Sequence, residues 1–229
     1  MKKFCLLMYC DNKYKPLQTY IAESLLKSGI ISRTVLKDEN DLKQTSFYED
    51  HKTILSASQG AGYCLWKPYY ILETLNTIKN DEILFYLDST DWIFYPKEFQ
   101  TMVNEIMLNQ DFLFFEGGFL QKEFTRYDCF YLMNCLDLEY TDKIQLEAGI
   151  VFFKNTEFNK LFVQEWLDYC KNPQIIMNIP NKHGSNFFEY KDHRYDQSVL
   201  TNLVQKYKLP VVPMTNQLRN KFKCNYLSI

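Results

Sequence analysis

Ile83-Leu84-Phe85-Tyr86-Leu87, followed by Asp88-Ser89-Thr90-Asp91, decides the architecture of this chain. An unbroken apolar run of strand length, bounded by Asp81-Glu82 in front and Asp88 behind, leaves no polar face for water. A strand that is apolar on both sides belongs inside a parallel sheet with helices on both faces. The flanking sequence fits the same plan. Residues 3–10 (KFCLLMYC) are a second apolar run, and Pro16 to Lys27 carries a helical stripe at 17, 21, 22, 25 and 26 that Gly29 closes. Further strands are expected over 30–36, 112–115, 149–153 and 208–212. Helices are expected over 68–78, 96–108, 156–170 and 196–207, with Pro68 as the first residue of its helix. Residues 37–58 read as loop with short helical turns. Strands alternate with helices, and no repeat, low-complexity tract or Pro/Gly-rich linker interrupts them. The expectation is one α/β domain over 1–229, with a mainly parallel central sheet flanked by helices.

Composition narrows the function classes. With 229 residues, 46% of them hydrophobic, the chain buries a core without needing a disulfide or metal staple. A net charge of −2 excludes nucleic-acid binding through bulk charge. The cysteines show no CxxC spacing and no accompanying His cluster, so reduced, mostly buried thiols are expected. Met-Lys-Lys and the apolar run to Cys10 imitate the start of a signal peptide. That run is short, ends at Asp11 and has no small-residue cleavage site, so a first strand explains it better. No stretch approaches the roughly 20 apolar residues of a spanning helix, and the expected location is cytoplasmic. Arg219, Lys221 and Lys223 leave peripheral contact with an anionic membrane open, with a solvated tail as the plainer explanation. The chain holds 18 Phe, 17 Tyr and 3 Trp, but it also has 22 Lys against 4 Arg. AT-rich coding therefore accounts for most of the aromatics before any sugar stacking is invoked.

The polar segments between these runs carry the chemistry. In open α/β sheets ligands bind beyond the carboxyl ends of the strands. Asp88 and Asp91 fall there, and a turn can bring both round one hard cation, Mn2+ or Mg2+. Such a cation can bridge the two phosphates of a nucleotide-sugar and stabilise a departing diphosphate. The competing explanation is that Asp88 caps the following turn and Asp91 is solvated. A haloacid-type phosphatase would need Asp-x-Asp-x-Thr here, which is absent. The first strand ends in Tyr9-Cys10-Asp11-Asn12-Lys13-Tyr14, groups suited to a ribose or a base edge and equally to a helix cap before Pro16. Gly60-Ala-Gly62-Tyr-Cys-Leu-Trp-Lys67-Pro68 is a glycine turn leading into a helix and is no Walker loop. Its backbone amides and Lys67 suit an anionic ligand, or the segment is a tight turn with Trp66 in the core. Thr125-Arg126-Tyr-Asp128 is dense in polar groups. Gln145-Leu-Glu147-Ala-Gly149 puts a carboxylate before a buried strand. His193-Arg-Tyr-Asp196-Gln197-Ser198 opens a helix, with Asp196 at its positive end and His193 available as a metal ligand or base.

Together these segments resemble nucleotide-diphospho-sugar glycosyltransferases of the GT-A fold, over most of the chain. The match is to small microbial and viral transferases with Gly-x-Gly-Tyr-x-x-Trp-Lys-Pro, Tyr-Leu-Asp, Glu-Ala-Gly and His-Arg-x-Asp-Gln-Ser. These stand here at Gly60 to Pro68, Tyr86 to Asp88, Glu147 to Gly149 and His193 to Ser198. More distantly, the order is similar to the retaining family-eight galactosyltransferases. The resemblance implies a nucleotide-sugar donor, uridine-linked, and a saccharide or glycan acceptor in surface polysaccharide or glycan synthesis, with retention. It implies that Tyr9, Cys10, Asp11 and Tyr14 hold the nucleotide and that Lys67 and Arg126 hold the diphosphate or donor sugar. Asp128 and Gln145 would surround that sugar, with Asp196, Gln197 and Glu147 as the catalytic set. Asp88 and Asp91 would hold the cation. The family motif is Asp-x-Asp, whereas position 90 is Thr, so the cation would use Asp88 with Asp91, a water or His193. The C-terminal His-x-x-Gly-x-x-Lys-Pro-Trp loop of family eight, source of its third metal ligand, is absent. Two alternatives stand beside this reading: a sugar-phosphate nucleotidyltransferase, and a non-catalytic saccharide-binding module on a decayed transferase scaffold.

Overall fold

The apolar runs form neighbouring strands of one sheet. In the computed structural model, which describes residues 2–80 and 82–215 and the backbone of 222–223, nine strands are present among those residues. They are β1 (Phe4–Cys10), β2 (Ile31–Asp38), β3 (Ile83–Leu87), β4 (Trp92–Ile93), β5 (Phe112–Leu113), β6 (Glu116–Leu120), β7 (Ile144–Leu146), β8 (Ile150–Lys154) and β9 (Phe222–Lys223). The main sheet has the order β2-β1-β3-β8-β5. β1 is parallel to β2 and β3, whereas β8 is antiparallel to both β3 and β5, so four of the five strands share one direction. β6 pairs with β7 and β4 with β9 in two small antiparallel sheets.

Five longer helices cover the main sheet: α1 (Lys15–Ser28), α2 (Trp66–Leu75), α3 (Pro96–Ile106), α4 (Glu157–Cys170) and α5 (Tyr195–Lys206). Strand alternation sorts the core into two layers. Cys5, Leu7 and Tyr9 of β1 and Leu84 and Tyr86 of β3 pack toward α2, α4 and α5. Phe4, Leu6, Met8, Ile83, Phe85 and Leu87 pack toward α1 and α3 on the other face. There the rings of Phe4, Phe85, Phe99 and Phe152 lie against one another, with Phe85 stacked on Phe152 at 4.5 Å between centroids. Such pairs contribute about 0.5–1.5 kcal/mol each beyond the area they bury. Much of the aromatic content is therefore core.

The expected strands and helices are present with shifted ends, apart from one. Residues 208–212 form no strand, and only Val212 bridges to Phe115. The amides of Lys208 and Leu209 are spent closing α5, on Gln205 O and Val204 O, which leaves too little backbone for a ladder. β6 was not expected because Gly117 and Gly118 hide its strand character. Residues 37–58 hold three short helices, of which Glu39–Lys43 is capped by Asp38 and Ser46–Asp50 by Thr45. Among the described residues no helix is long and apolar enough to cross a membrane, and the six cysteines are unpaired thiols. The side chains of Arg219, Lys221 and Lys223 lie outside the described residues.

Candidate active site

β1 and β3 end side by side and deliver Asp11 and Asp88 to one edge of the sheet. β8 runs the opposite way, so it is the residue before it, Gly149, that reaches this edge, with its carbonyl accepting from Asp88 N at 2.8 Å. A parallel strand at that place would have brought Lys154 instead. A turn closed by Asp91 N on Asp88 O (3.0 Å) then folds the second carboxylate back. A β-carbon on Gly149 would lie 2.8 Å from Asp91 Oδ2 and 2.9 Å from Asp88 Oδ2. The two carboxylates thus converge on one point, although Thr90 stands where the usual second Asp would be.

Lys67, in the first turn of α2, reaches the same place from the covering layer. It is only 3% exposed, and its Nζ lies 3.2 Å from Asp196 Oδ2, 3.5 Å from Asp88 Oδ1 and 3.3 Å from Ala148 O. Tyr86, on the same face of β3 as Asp88, donates its hydroxyl to Asp88 Oδ1. Burial pushes the Asp196 carboxyl up to about 6, against the opposing pull of Lys67. The cluster carries more negative than positive charge, which favours a divalent cation. Two hard oxygens aimed at one point above a glycine fit such an ion when it shares its remaining positions with phosphate and water. Among the described residues no group of three or more His, Cys, Asp or Glu side chains forms a self-sufficient metal site.

A cleft opens beside this cluster. One cavity of about 330 Å3 is lined by Tyr9, Cys10, Asp11, Tyr14, Trp66 and Asp88, among others. A second, of about 320 Å3, shares Tyr9, Asp11, Ser58 and Ala61 with it and adds Glu39, Lys43 and Tyr48. Tyr9 stacks on Trp66 at 3.9 Å, and burial pushes its hydroxyl pKa far above the usual range. Cys10 is likewise pushed up to about 11 by burial, which makes it a wall and not a nucleophile. Asp11 does not cap the short helix that follows it. Its Oδ2 faces Lys13 at 3.7 Å, while its buried Oδ1 has no hydrogen-bond partner among the described residues.

The glycine segment is a left-handed turn. Gly60, Ala61, Gly62, Tyr63 and Cys64 all have positive φ, and a β-carbon at Gly62 would come within 2.7 Å of Leu55 Cα. Trp66 is buried in the core, the second of the two readings that the sequence leaves open, and the turn's amides do not await an anion. Those of Ala61, Gly62, Tyr63, Cys64 and Leu65 all donate to carbonyls of the turn itself. Gly60 lies against the ring of Tyr195, itself at φ 48, next to Asp196.

Four expected site residues are committed elsewhere. His193 is fully buried, with Nδ1 accepting from Arg126 N and Nε2 donating to Ile175 O at 2.8 Å; both ring nitrogens are used, so it is no metal ligand. Burial lowers its pKa to about 3. The Arg126 guanidinium does not face the cleft but donates to Gln174 O, Met177 O and Asn181 Oδ1. Asp128 accepts from Lys182 N, His183 N and Gln174 Nε2; burial opposes its charge, but these bonds outweigh it and hold the carboxyl below its usual range. Gln145 is tied to Thr125, Ser198 and Gln197. These side chains fasten the 174–194 segment and α5 in place, a job their residue types do equally well.

Gln197, the neighbour of Asp196, donates to Gln145 Oε1 at 2.9 Å and accepts from Ala148 N, which fixes the start of α5 against the Glu147–Gly149 turn. Glu147 is buried with Oε1 over Gly117, where a β-carbon would come within 3.2 Å. Sequence reading gave no role to Tyr86, although its i, i+2 relation to Asp88 on a strand placed both on one face. It also missed Ser89, whose hydroxyl donates to Tyr9 O and joins the ends of β1 and β3, and Tyr195, which no sequence signal marks.

No protein-family profile matches the chain, and no curated protein matches it by sequence. Among solved structures it is similar to mouse xyloside xylosyltransferase 1, at 9% identity and TM-score 0.49, covering 95% of this chain and 90% of that one. It is similar also to a glycosyltransferase involved in glycosylation of the major capsid of PBCV-1, at 11% identity and TM-score 0.45, over 91% and 80% of the two chains. A third is the galactosyltransferase LgtC, at 11% identity and TM-score 0.48, over 92% and 73%.

Proposed function

We propose that this chain is a GT-A-type glycosyltransferase that moves a sugar from a nucleotide-diphosphate sugar, uridine-linked, to a saccharide acceptor in surface polysaccharide or glycan synthesis. The observation that carries this reading is the convergence of Asp88 and Asp91 above Gly149, beside the buried Lys67–Asp196 pair and at the mouth of the cleft. Tyr9, Cys10, Asp11 and Tyr14 line the part that receives the nucleoside. The buried Asp11 Oδ1 is an acceptor suited to a base N–H or ribose hydroxyl. Asp88 and Asp91 would hold Mn2+ or Mg2+, which when bound supplies charge neutralisation for a diphosphate leaving group. Lys67 holds the Asp196 carboxylate in place, and Asp196 lies ready to stabilise positive charge developing at the anomeric carbon. Gln197 fixes that carboxylate's helix and so serves position. We assign retention, with Asp196 and Gln197 on the face opposite the leaving group; an inverting course would require Glu147 or Asp196 to take the acceptor proton.

Incubation with a panel of nucleotide-sugars, with and without Mn2+, tests this through free nucleoside diphosphate. Slow hydrolysis of one donor is expected, and Asp88→Asn should remove most of it while leaving the melting temperature within a few degrees. Pyrophosphate release from a nucleoside triphosphate and a sugar 1-phosphate would instead identify a nucleotidyltransferase. Silence in both assays with glycan binding retained would identify a binding module.

A further inference from the structure

The two oxygens of Asp88 keep different company. Oδ1 accepts the Tyr86 hydroxyl and lies 3.5 Å from Lys67 Nζ, which also lies against Asp196 Oδ2 and Ala148 O. Oδ2 turns the other way, to the point above Gly149 that Asp91 Oδ2 also faces. Tyr86, on the face of β3 that α2 covers, and Lys67, in the first turn of α2 itself, are both buried, and neither can swing away without opening the core. A cation taking both oxygens of Asp88 would have to crowd in at Oδ1 beside a buried hydroxyl and a buried ammonium, whose positive ends oppose its approach.

We propose that Tyr86 and Lys67 are positioning residues that make Asp88 a one-oxygen ligand, so that this site selects a small octahedral cation, Mg2+ or Mn2+, over Ca2+. The selectivity follows from coordination chemistry. Ca2+ takes six to eight oxygens at about 2.3–2.6 Å and gains from chelation by a whole carboxylate, whereas Mg2+ demands near-octahedral single oxygens at about 2.0–2.1 Å. Partners that orient a ligating carboxylate typically change metal affinity about 10–100-fold when removed. The inference rests on the cation site of the proposed transferase and adds to it the reason for the choice of metal.

The test is Mn2+ binding to the full chain, followed by the loss of the free-ion EPR signal, with Ca2+ added as competitor. Tyr86→Phe should lower the Mn2+-over-Ca2+ preference about tenfold or more, because Oδ1 becomes available for chelation. An unchanged preference in Tyr86→Phe, alongside loss of binding in Asp88→Asn, would overturn the positioning role and leave the cation site standing. Undiminished Mn2+ binding in Asp88→Asn would overturn the site itself. A measurement on the unmodified protein covers the case in which Tyr86→Phe does not fold. On Mn2+ addition, the infrared splitting between the asymmetric and symmetric carboxylate stretches should stay at or above that of the free carboxylate, because one oxygen takes the metal while the other keeps its hydrogen bond. A narrowed splitting, the mark of chelation, would overturn the proposal.

Discussion

At Gly149 a hydrogen in place of a methyl group leaves room for two carboxylates. Its φ lies outside the left-handed region, so alanine suits the backbone there, yet the new β-carbon would stand 2.8–2.9 Å from Asp91 Oδ2 and Asp88 Oδ2. Gly149→Ala should therefore keep the fold and lower donor turnover on the order of 10²-fold, since a displacement near 1 Å at a reacting centre has that effect. Paired turnover assays and thermal melts check this. His193 makes a different prediction, about stability. Its pKa falls from 6.5 to about 3 on folding, so on acidification the unfolded chain takes up a proton that the native ring refuses. Its contribution is intact above pH 6.5 and is lost as pH falls toward 3, at up to about 1.4 kcal/mol per pH unit. In urea titrations at a series of pH values, His193→Gln should unfold with up to one proton less uptake between pH 6 and 4. Identical slopes would contradict the buried neutral ring.

The left-handed turn at 60–64 is the element whose sequence and conformation disagree most. Ala61, Tyr63 and Cys64 each hold a backbone that costs an L-residue about 1–2 kcal/mol. That cost persists because the turn is locked by its own amides and by packing on Leu55 and Tyr195, and it lies where both cavities meet. Neighbouring substitutions should therefore have opposite signs. Ala61→Gly should stabilise by about 1 kcal/mol through relief of the left-handed alanine. Gly62→Ala should destabilise by about 3 kcal/mol, because its β-carbon would meet Leu55 Cα at 2.7 Å. Urea midpoints of the two variants decide it. A glycine-rich turn before a helix was readable from the sequence, but its hand and the fate of its amides were not, since both depend on what the turn packs against.

Across the whole molecule, the Thr125–Asp128 segment works as a clasp for the long irregular stretch that leads into α5. Arg126 and Asp128 hold Gln174, Met177 and residues 181–183, and Gly184 lies flat on Tyr127, where a β-carbon would run into its ring. Arg126→Leu strands buried carbonyls without donors and should cost about 3 kcal/mol. It should also speed proteolysis within 177–192 while leaving the KM for donor unchanged at a temperature where the variant is folded. A guanidinium that bound diphosphate would instead raise that KM.

The sequence by itself determined the five strands of the main sheet, the long helices and the sheet edge that bears the carboxylates. Local periodicity and the apolar runs 4–10 and 83–87 carry that information within a few residues of chain. It also marked Asp88, Asp91, Lys67 and Asp196, because charged residues beside buried strands and at a helix start are conspicuous. Only the tertiary structure decided which polar residues meet. His193, Arg126, Asp128 and Gln145 have the same chemistry as site residues, and what separates them is the set of backbone and side-chain partners brought to them from up to 67 positions away along the chain. The reversal of β8 was equally invisible, since an apolar strand reads alike in either direction. That reversal sets Gly149, and not Lys154, beneath the two aspartates.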